Sequence, residues 1–251
     1  MLARHAAAPH HCTDETGHEQ REAQDGRRAV GDRDAVVELH LHHGVDHRMR
    51  DEFVPVDAAI DDEFAKKMET DHKGRFGTWA MLPLPHIDES LKEIAYAFDT
   101  LKVDGVGCMT SYGDKWLGYS EFEPVWQELN RRKATVYTHP TGANCCVNLV
   151  RGIDDSFIEY GTDTTRTIFT LIFSGSSQKN NNINWIFSHG GGALTAFAER
   201  FLVQAISRPP NNKFSREQVQ GELNRFFYDT AQVSNDVTLS AMKKLMPMSQ
   251  I

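Results

Sequence analysis

The stretch Ile183-Asn-Trp-Ile-Phe-Ser-His189-Gly-Gly-Gly-Ala-Leu-Thr-Ala-Phe-Ala-Glu-Arg200 decides how the chain reads. Ile183 to Phe187 is a short, nearly continuous apolar run, the pattern of a strand buried on both faces of a parallel sheet. It stops at Ser188-His189, and three glycines follow at once. Leu194, Phe197, Ala198, Phe201, Leu202 and Ala205 then recur at helical spacing on one face. A titratable side chain thus sits where a buried strand ends and the backbone turns into a helix. In α/β proteins that is the position from which strands present chemistry, because their C-terminal ends open onto the site.

A second stretch is built alike. Ala134-Thr-Val-Tyr-Thr-His139-Pro-Thr is a β-branched and aromatic run that ends in His-Pro and a loop. Two strands that each deliver a histidine at the same end point to one shared site, where a single such residue would read as a hydrogen-bonded structural histidine.

Working outward, Ile60 to Asp71 reads as a short helix and Arg75 to Leu82 as a strand halted by Pro83 and Pro85. Asp88 is placed to cap a helix carrying Leu91, Ile94, Ala95, Phe98 and Leu101. Val103 to Thr110 is the next strand, and Pro124 suits the first turn of a helix that buries Val125, Trp126 and Leu129. After the His139 strand comes a long loop over 140–158, then a helix from about Glu159 that Gly175 ends. Ser215 with Gln218 forms a capping box. Phe226 to Ala231 is a fifth strand, Val237 to Met246 a further helix, and Met248 to Ile251 the entrance to another strand. Strand and helix alternate at intervals of about 30 residues, as βαβ units require. No Gly-x-Gly-x-x-Gly follows the first strand and no P-loop occurs, which disfavours a doubly wound nucleotide fold. The strand-end histidines favour a (β/α)8 TIM-type barrel, incomplete in this chain.

Residues 1–56 do not share that regularity, and the domain organisation reads as an irregular segment over 1–56 and a barrel domain over 57–251. The first segment holds eight of the twelve histidines among Arg, Asp, Ala and Gly without periodicity, and reads as disorder or a misassigned exon. One island stands out, Val36-Val-Glu-Leu-His40-Leu-His42-His43. On a strand, His40 and His42 point to the same face and form a candidate pair of metal ligands.

The net charge of −8 argues against a nucleic-acid or anionic-membrane partner. No apolar run has the length of a transmembrane helix, and the N-terminus lacks the apolar core of a signal peptide. Cys12, Cys108, Cys145 and Cys146 do not form a disulfide framework, so the expected setting is reducing and cytoplasmic.

In order and spacing, a set of short pieces resembles the amidohydrolase-related decarboxylases, the group of aminocarboxymuconate-semialdehyde, resorcylate and methylsalicylate decarboxylases. They are Gly74-Arg-Phe-Gly77, Leu82-Pro-Leu-Pro85, Val103-Asp-Gly-Val106, Thr110-Ser-Tyr-Gly113, His139-Pro-Thr141, Tyr160-Gly161 through Thr164-Thr-Arg-Thr167, Ser188-His-Gly-Gly191 and Tyr228-Asp-Thr-Ala231. The resemblance implies a metal-dependent barrel, usually with zinc, that removes a carboxylate from a small aromatic or unsaturated acid without an organic cofactor. It implies that His139 is a metal ligand and that His189 stands beside the metal in proton transfer or water activation. It also implies that Arg200 reaches a substrate carboxylate across a homodimer interface.

Two departures bear on this. The family's closing Gly-Ser/Thr-Asp-x-Pro motif on strand eight does not occur, and His42 lies 33 residues before Arg75, too close for two intervening βα units. The expectation is therefore a crippled metal shell and a poor catalyst. Imidazole suits both roles assigned to it, as a zinc ligand and as a proton donor near neutral pH. Arg offers a carboxylate a bidentate donor set. A hydrolase of an ester, lactone or amide on the same barrel and a non-catalytic truncated relative are the competing readings.

Overall fold

A computed structural model of the chain describes residues 58–251, so the His40–His42 island and the reading of residues 1–56 lie outside the described residues. The first element is helix α1, Ala58–Asp71. Strand β1, Trp79–Met81, follows, then helix α2, Ile87–Tyr96, whose last turn widens into a π-helical segment, Ala97–Leu101. Strand β2 is Gly105–Met109, and a small antiparallel hairpin, β3 (Ser111–Tyr112) with β4 (Lys115–Trp116), stands on the loop behind it. Helix α3, Glu123–Arg132, leads to β5, Thr135–His139. Helices α4 (Glu159–Ser174) and α5 (Ser176–Lys179) precede β6, Asn184–Phe187. Helix α6, Leu194–Glu199, runs into a second π segment, Arg200–Ala205. Helix α7 (Arg216–Arg225), strand β7 (Phe227–Tyr228) and helix α8 (Asp236–Leu245) complete the order.

Five strands pair in parallel in the order β1-β2-β5-β6-β7, each joined to the next by at least one helix. This run of successive parallel βα units is part of a (β/α) barrel. None of the described helices is long and apolar enough to cross a membrane.

The two faces of the sheet differ. Ala80, Val106, Cys108, Val136, Thr138, Trp185 and Phe187 form the helix-covered face and are all buried. There Trp126 of α3 meets Trp185 edge-on at 5.1 Å, and Phe226 meets Phe187 at 5.1 Å. Burying each of these rings stabilises the fold by roughly 2–3 kcal/mol. The alternate residues Trp79, Met81, Tyr137, His139 and Ile186 face inward and keep some exposure. Glycine in β2 makes room for this inner layer: a Cβ at Gly105 would overlap the Trp79 ring opposite it in the register.

Several local expectations hold for physical reasons. Ser215 accepts from the Gln218 amide at 3.2 Å and Gln218 accepts from the Ser215 amide at 2.8 Å, the reciprocal capping box. Pro124 lies in the first turn of α3, where its missing N–H has no partner to lose. Gly175 ends α4 in the left-handed conformation. Others need correction. Asp88 does not cap α2; His86 occupies the cap, and Asp88 lies in the first turn, where its charge faces the helix dipole. Met248–Gln250, read as a strand entrance, is a 3-10 turn behind Pro247. Phe197, read as part of the inward stripe of α6, is exposed, whereas Leu194, Ala198 and Leu202, each four residues apart, are buried.

On α3, Glu128 accepts from Arg131 at 2.7 Å through both Nε and Nη2, and from Arg132 Nε at 2.6 Å. Arg132 also grips Asp99 bidentately at 2.7 and 2.9 Å, tying α3 to the end of α2. The hydrogen bonds from Arg131 and then Arg132 hold the Glu128 carboxyl down to about 2, against an ordinary 4.5. A depressed carboxyl contributes stability above its unfolded value, and that contribution is lost as pH falls through the folded value. Glu128→Gln is therefore expected to cost about 1 kcal/mol near neutral pH after allowance for solvent screening. In urea denaturation the difference should shrink between pH 4.5 and about 2. A constant difference across that window would contradict the assignment.

Candidate active site

At the C-terminal ends of β5 and β6 the two sequence-selected histidines come together. The His139 and His189 rings lie 5.3 Å apart, inclined by 69°. A third ring, Tyr160 from the first turn of α4, stands edge-on to His139 at 6.0 Å. His139 is half-buried and His189 is buried.

Each imidazole is oriented by a main-chain carbonyl. His139 Nδ1 lies 3.0 Å from the Pro140 oxygen, and His189 Nδ1 lies 3.2 Å from the Ala231 oxygen. A carbonyl oxygen only accepts, so both Nδ1 atoms donate, and in the neutral rings the lone pair is on Nε2. For His189 that Nε2 is buried without a hydrogen-bond partner among the described residues, and the neighbouring Ser188 Oγ is buried in the same way. A buried polar atom without a partner marks a place where something else binds.

The main chain at His189 is also unusual. Its φ is +55°, a left-handed conformation that costs a non-glycine residue roughly 1–2 kcal/mol. The turn behind β7 holds it there. The His189 amide donates to Asp229 Oδ1 at 2.7 Å, and the Gly190 amide donates to the Asp229 carbonyl at 3.0 Å. Asp229 Oδ1 also accepts from the Ala231 amide at 3.1 Å, closing its own turn, and Oδ2 accepts from the Tyr137 hydroxyl at 2.8 Å.

Helix α4 also carries a buried carboxylate that the sequence reading did not single out. Asp163, on α4, accepts from Thr110 Oγ1, from Ser111 Oγ at 2.9 Å and from Trp116 Nε1 at 2.6 Å. Thr167, one turn on, donates to the Thr110 carbonyl at 2.5 Å. Together these bonds fasten α4 to the end of β2 and to the β3–β4 hairpin. Arg166 sits over the Trp116 ring at 5.8 Å, pairs with Glu159 at 3.3 Å and donates to Cys146 Sγ at 3.7 Å. Cys145 beside it is exposed, and its thiol is pushed up to about 11, first by its hydrogen bond with Cys146 and then by partial burial.

Arg200 lies apart from these groups. It opens the π segment after α6, is exposed, and makes no ion pair among the described residues. A concavity of about 420 Å³ lined by Asn148, Val150, Arg151, Gly152, Ile153 and Asp154 belongs to the loop between β5 and α4 and includes neither histidine.

Whether these residues suit a metal ion can be judged from their chemistry. Imidazoles that donate Nδ1–H to main-chain carbonyls carry their lone pair on Nε2, the tautomer that metal-bound histidines held in this way adopt. They fit a divalent cation as a partial shell. No cluster of three or more His, Cys, Asp or Glu side chains suited to a metal occurs among the described residues. His40 and His42 lie outside those residues.

Comparison with known proteins is consistent with this architecture. The chain is 34% identical over 188 residues to the decarboxylase yanB of Aspergillus niger, which covers 71% of this chain and 51% of that one. It is 35% identical over 176 residues to the 6-methylsalicylic acid decarboxylase acuB of Aspergillus aculeatus, covering 68% of this chain and 53% of the other. The chain thus spans about half the length of these curated relatives. Among solved structures, the 5-carboxyvanillate decarboxylase of Novosphingobium aromaticivorans, complexed with manganese and 4-hydroxy-3-methoxy-5-nitrobenzoic acid, superposes with a TM-score of 0.70. It is 17% identical, over 77% of this chain and 57% of that one. A 2,6-dihydroxybenzoate decarboxylase complexed with 2,6-dihydroxybenzoate gives a TM-score of 0.65 at 18% identity, over 74% of this chain and 61% of the other. At such identities these structures share the barrel fold. The family model described as Amidohydrolase matches residues 2–211, reaching well into the segment before residue 57. With most of its length matched in this way, the chain belongs to the amidohydrolase family.

Proposed function

We propose that the chain carries the strand-five and strand-six part of a metal-dependent carboxy-lyase site acting on a small aromatic carboxylic acid of the salicylate type. The observation that carries this reading is the pair of imidazoles 5.3 Å apart at the C-terminal ends of neighbouring strands, each with Nδ1 committed to a main-chain carbonyl. The relatives' names support the reaction, and that of the 6-methylsalicylic acid decarboxylase acuB supports the substrate class.

In this reading His139 Nε2 is a metal ligand, and His40 and His42 are candidate further ligands of a shell that lacks the family's strand-eight Asp. Zinc is the expected ion on the donor set, because imidazole suits it; manganese accompanies the 5-carboxyvanillate enzyme. A divalent cation held there would supply Lewis acidity, which stabilises developing negative charge on a substrate.

His189 is the proton-transfer residue. Its Nδ1–H is held by the Ala231 carbonyl, so a proton taken up by the ring enters at Nε2 and leaves from Nε2. Delivered to the ring carbon that bears the carboxylate, it allows the bond to CO2 to break with its electron pair returning to the ring. The buried position of His189 excludes water from that exchange. Arg200, exposed and without an ion pair among the described residues, is assigned to the substrate carboxylate of a second copy in a homodimer. Cys108, Cys145 and Cys146 are free thiols, which supports a reducing, cytoplasmic compartment. The net charge of −8 supports a small-molecule partner in place of nucleic acid or an anionic membrane.

The test loads the chain with zinc or manganese, offers 6-methylsalicylic acid, and measures CO2. Slow release of CO2 without consumption of water is expected, as a partial metal shell implies. His189→Asn should lower the rate by roughly 10²-fold or more with metal content unchanged, whereas His139→Ala should lower metal content. Ester or lactone cleavage without CO2, or full activity in His189→Asn, would overturn the proposal.

A further inference from the structure

We infer that Asp229 is a positioning residue for His189, and that Tyr137 is the brace that holds Asp229 in place. This rests on the reading of His189 as the proton-transfer residue only for its catalytic meaning; the geometry stands without it.

Three hydrogen bonds run from the turn 229–231 to His189 and Gly190. The Asp229 carboxylate receives the His189 amide, the Asp229 carbonyl receives the Gly190 amide, and the Ala231 carbonyl receives His189 Nδ1–H. The Asp229 carboxylate links the first of these bonds to the third. By accepting from the Ala231 amide with the same Oδ1, it folds the turn so that the Ala231 carbonyl faces the imidazole. It therefore does two things at once. It stabilises a left-handed histidine that would otherwise be strained, and it selects the tautomer in which Nε2 is bare.

Tyr137 is placed to stabilise that carboxylate. It precedes His139 by two residues on β5, so both side chains leave the strand on the same inner face. Its hydroxyl donates to Asp229 Oδ2 at 2.8 Å, leaving Oδ1 for the two amides. The strand that carries one imidazole thus grips, through Asp229, the turn that orients the other. The 5.3 Å separation of the rings is set by this cross-brace as well as by the sheet register. As a hydrogen bond to a carboxylate in a half-buried site, the Tyr137 contact belongs to the stronger class of such bonds.

The consequence is spectroscopic before it is kinetic. In the metal-free chain labelled with ¹⁵N-histidine, long-range proton–nitrogen correlation spectra read the tautomer of each ring directly, above the pH range in which imidazole is protonated. The expected result is that His189 is held as the Nδ1–H form. Asp229→Ala should convert it largely to the Nε2–H form that a solvated histidine side chain prefers. Asp229→Asn, whose amide oxygen still accepts from both main-chain amides, should largely restore the original form. His139, whose partner carbonyl belongs to Pro140, should not change in any of these proteins and is the internal control. Should Asp229→Ala fail to fold, Tyr137→Phe addresses the same claim, and a rise in the Nε2–H share is expected. A purely structural Asp229 would alter stability without moving the tautomer. An unchanged Nδ1–H form of His189 in folded Asp229→Ala, or in Tyr137→Phe where the alanine variant does not fold, overturns the inference. So does an Nε2–H form in the original chain. Absence of CO2 release with the expected tautomers in place would count against the proposed reaction and leave the positioning role standing.

Discussion

Asp163→Ala is expected to be among the most destabilising single substitutions in the chain, costing about 3–5 kcal/mol. The carboxylate is fully buried and accepts from Thr110, Ser111 and Trp116. Removing it leaves two hydroxyls and an indole N–H in the interior with no acceptor, and each such orphan costs roughly 1–3 kcal/mol. The bonds also join elements distant in sequence, so the loss loosens α4, the end of β2 and the β3–β4 hairpin together. Asp163→Asn should cost less, because one carboxamide oxygen still accepts from part of the set. Urea denaturation of the three proteins checks the order. A cost below about 1 kcal/mol for the alanine variant would show that solvent replaces the lost acceptor.

Gly192→Ala is expected to be comparably severe and to damage the site as well. Gly192 has φ +68° and ψ −126°, a conformation open to glycine and closed to L side chains. Its Cα also lies against the first turn of α4: a Cβ there would overlap the carbonyl of Gly161, which accepts from the Ala193 amide at 3.0 Å. The obstacle is main chain on both sides, with no flexible side chain to yield. A cost of about 3 kcal/mol or more follows from the strain and the clash together. The His139–His189 ring proximity should be lost with it, visible as altered histidine resonances at temperatures where the variant is still folded. A variant with unchanged melting temperature and unchanged resonances would refute both parts.

These two residues mark how far the sequence could be read. The glycine run after His189 was legible as a turn, because glycine after an apolar run has few other meanings. That its third member must pass beside Gly161 was not, since the partner lies thirty-one residues upstream and no local pattern connects them. The strands before His139 and His189 were legible because β-branched and aromatic residues run together in them, although only the helix-covered face is fully buried and the inner face keeps some exposure. Tyr137 carried a readable signal, its period-two relation to His139, but its partner Asp229 sits ninety-two residues away. Asp163 gave none. An aspartate within Gly-Thr-Asp-Thr-Thr looks like a polar helix face, and only the assembled hairpin shows that this face turns inward. The cap on α2 was misjudged through local chemistry: His86 occupies the cap position without a side-chain bond, and Asp88 lies inside the first turn.

The unequal faces of the sheet also sort the chain's four tryptophans into distinct optical environments. Trp126 and Trp185 form an edge-to-face pair sealed beneath the helices, and Trp116 lies beneath the Arg166 guanidinium. Trp79 alone projects from the inner face, 37% exposed and 6.1 Å from Tyr137. Aqueous collisional quenchers therefore reach Trp79 far more readily than the sealed pair, and Tyr137 is near enough to pass it excitation energy. The molecule carries a built-in fluorophore on the same inner layer as the imidazoles, which distinguishes events inside the barrel from unfolding of the helical shell without any added label.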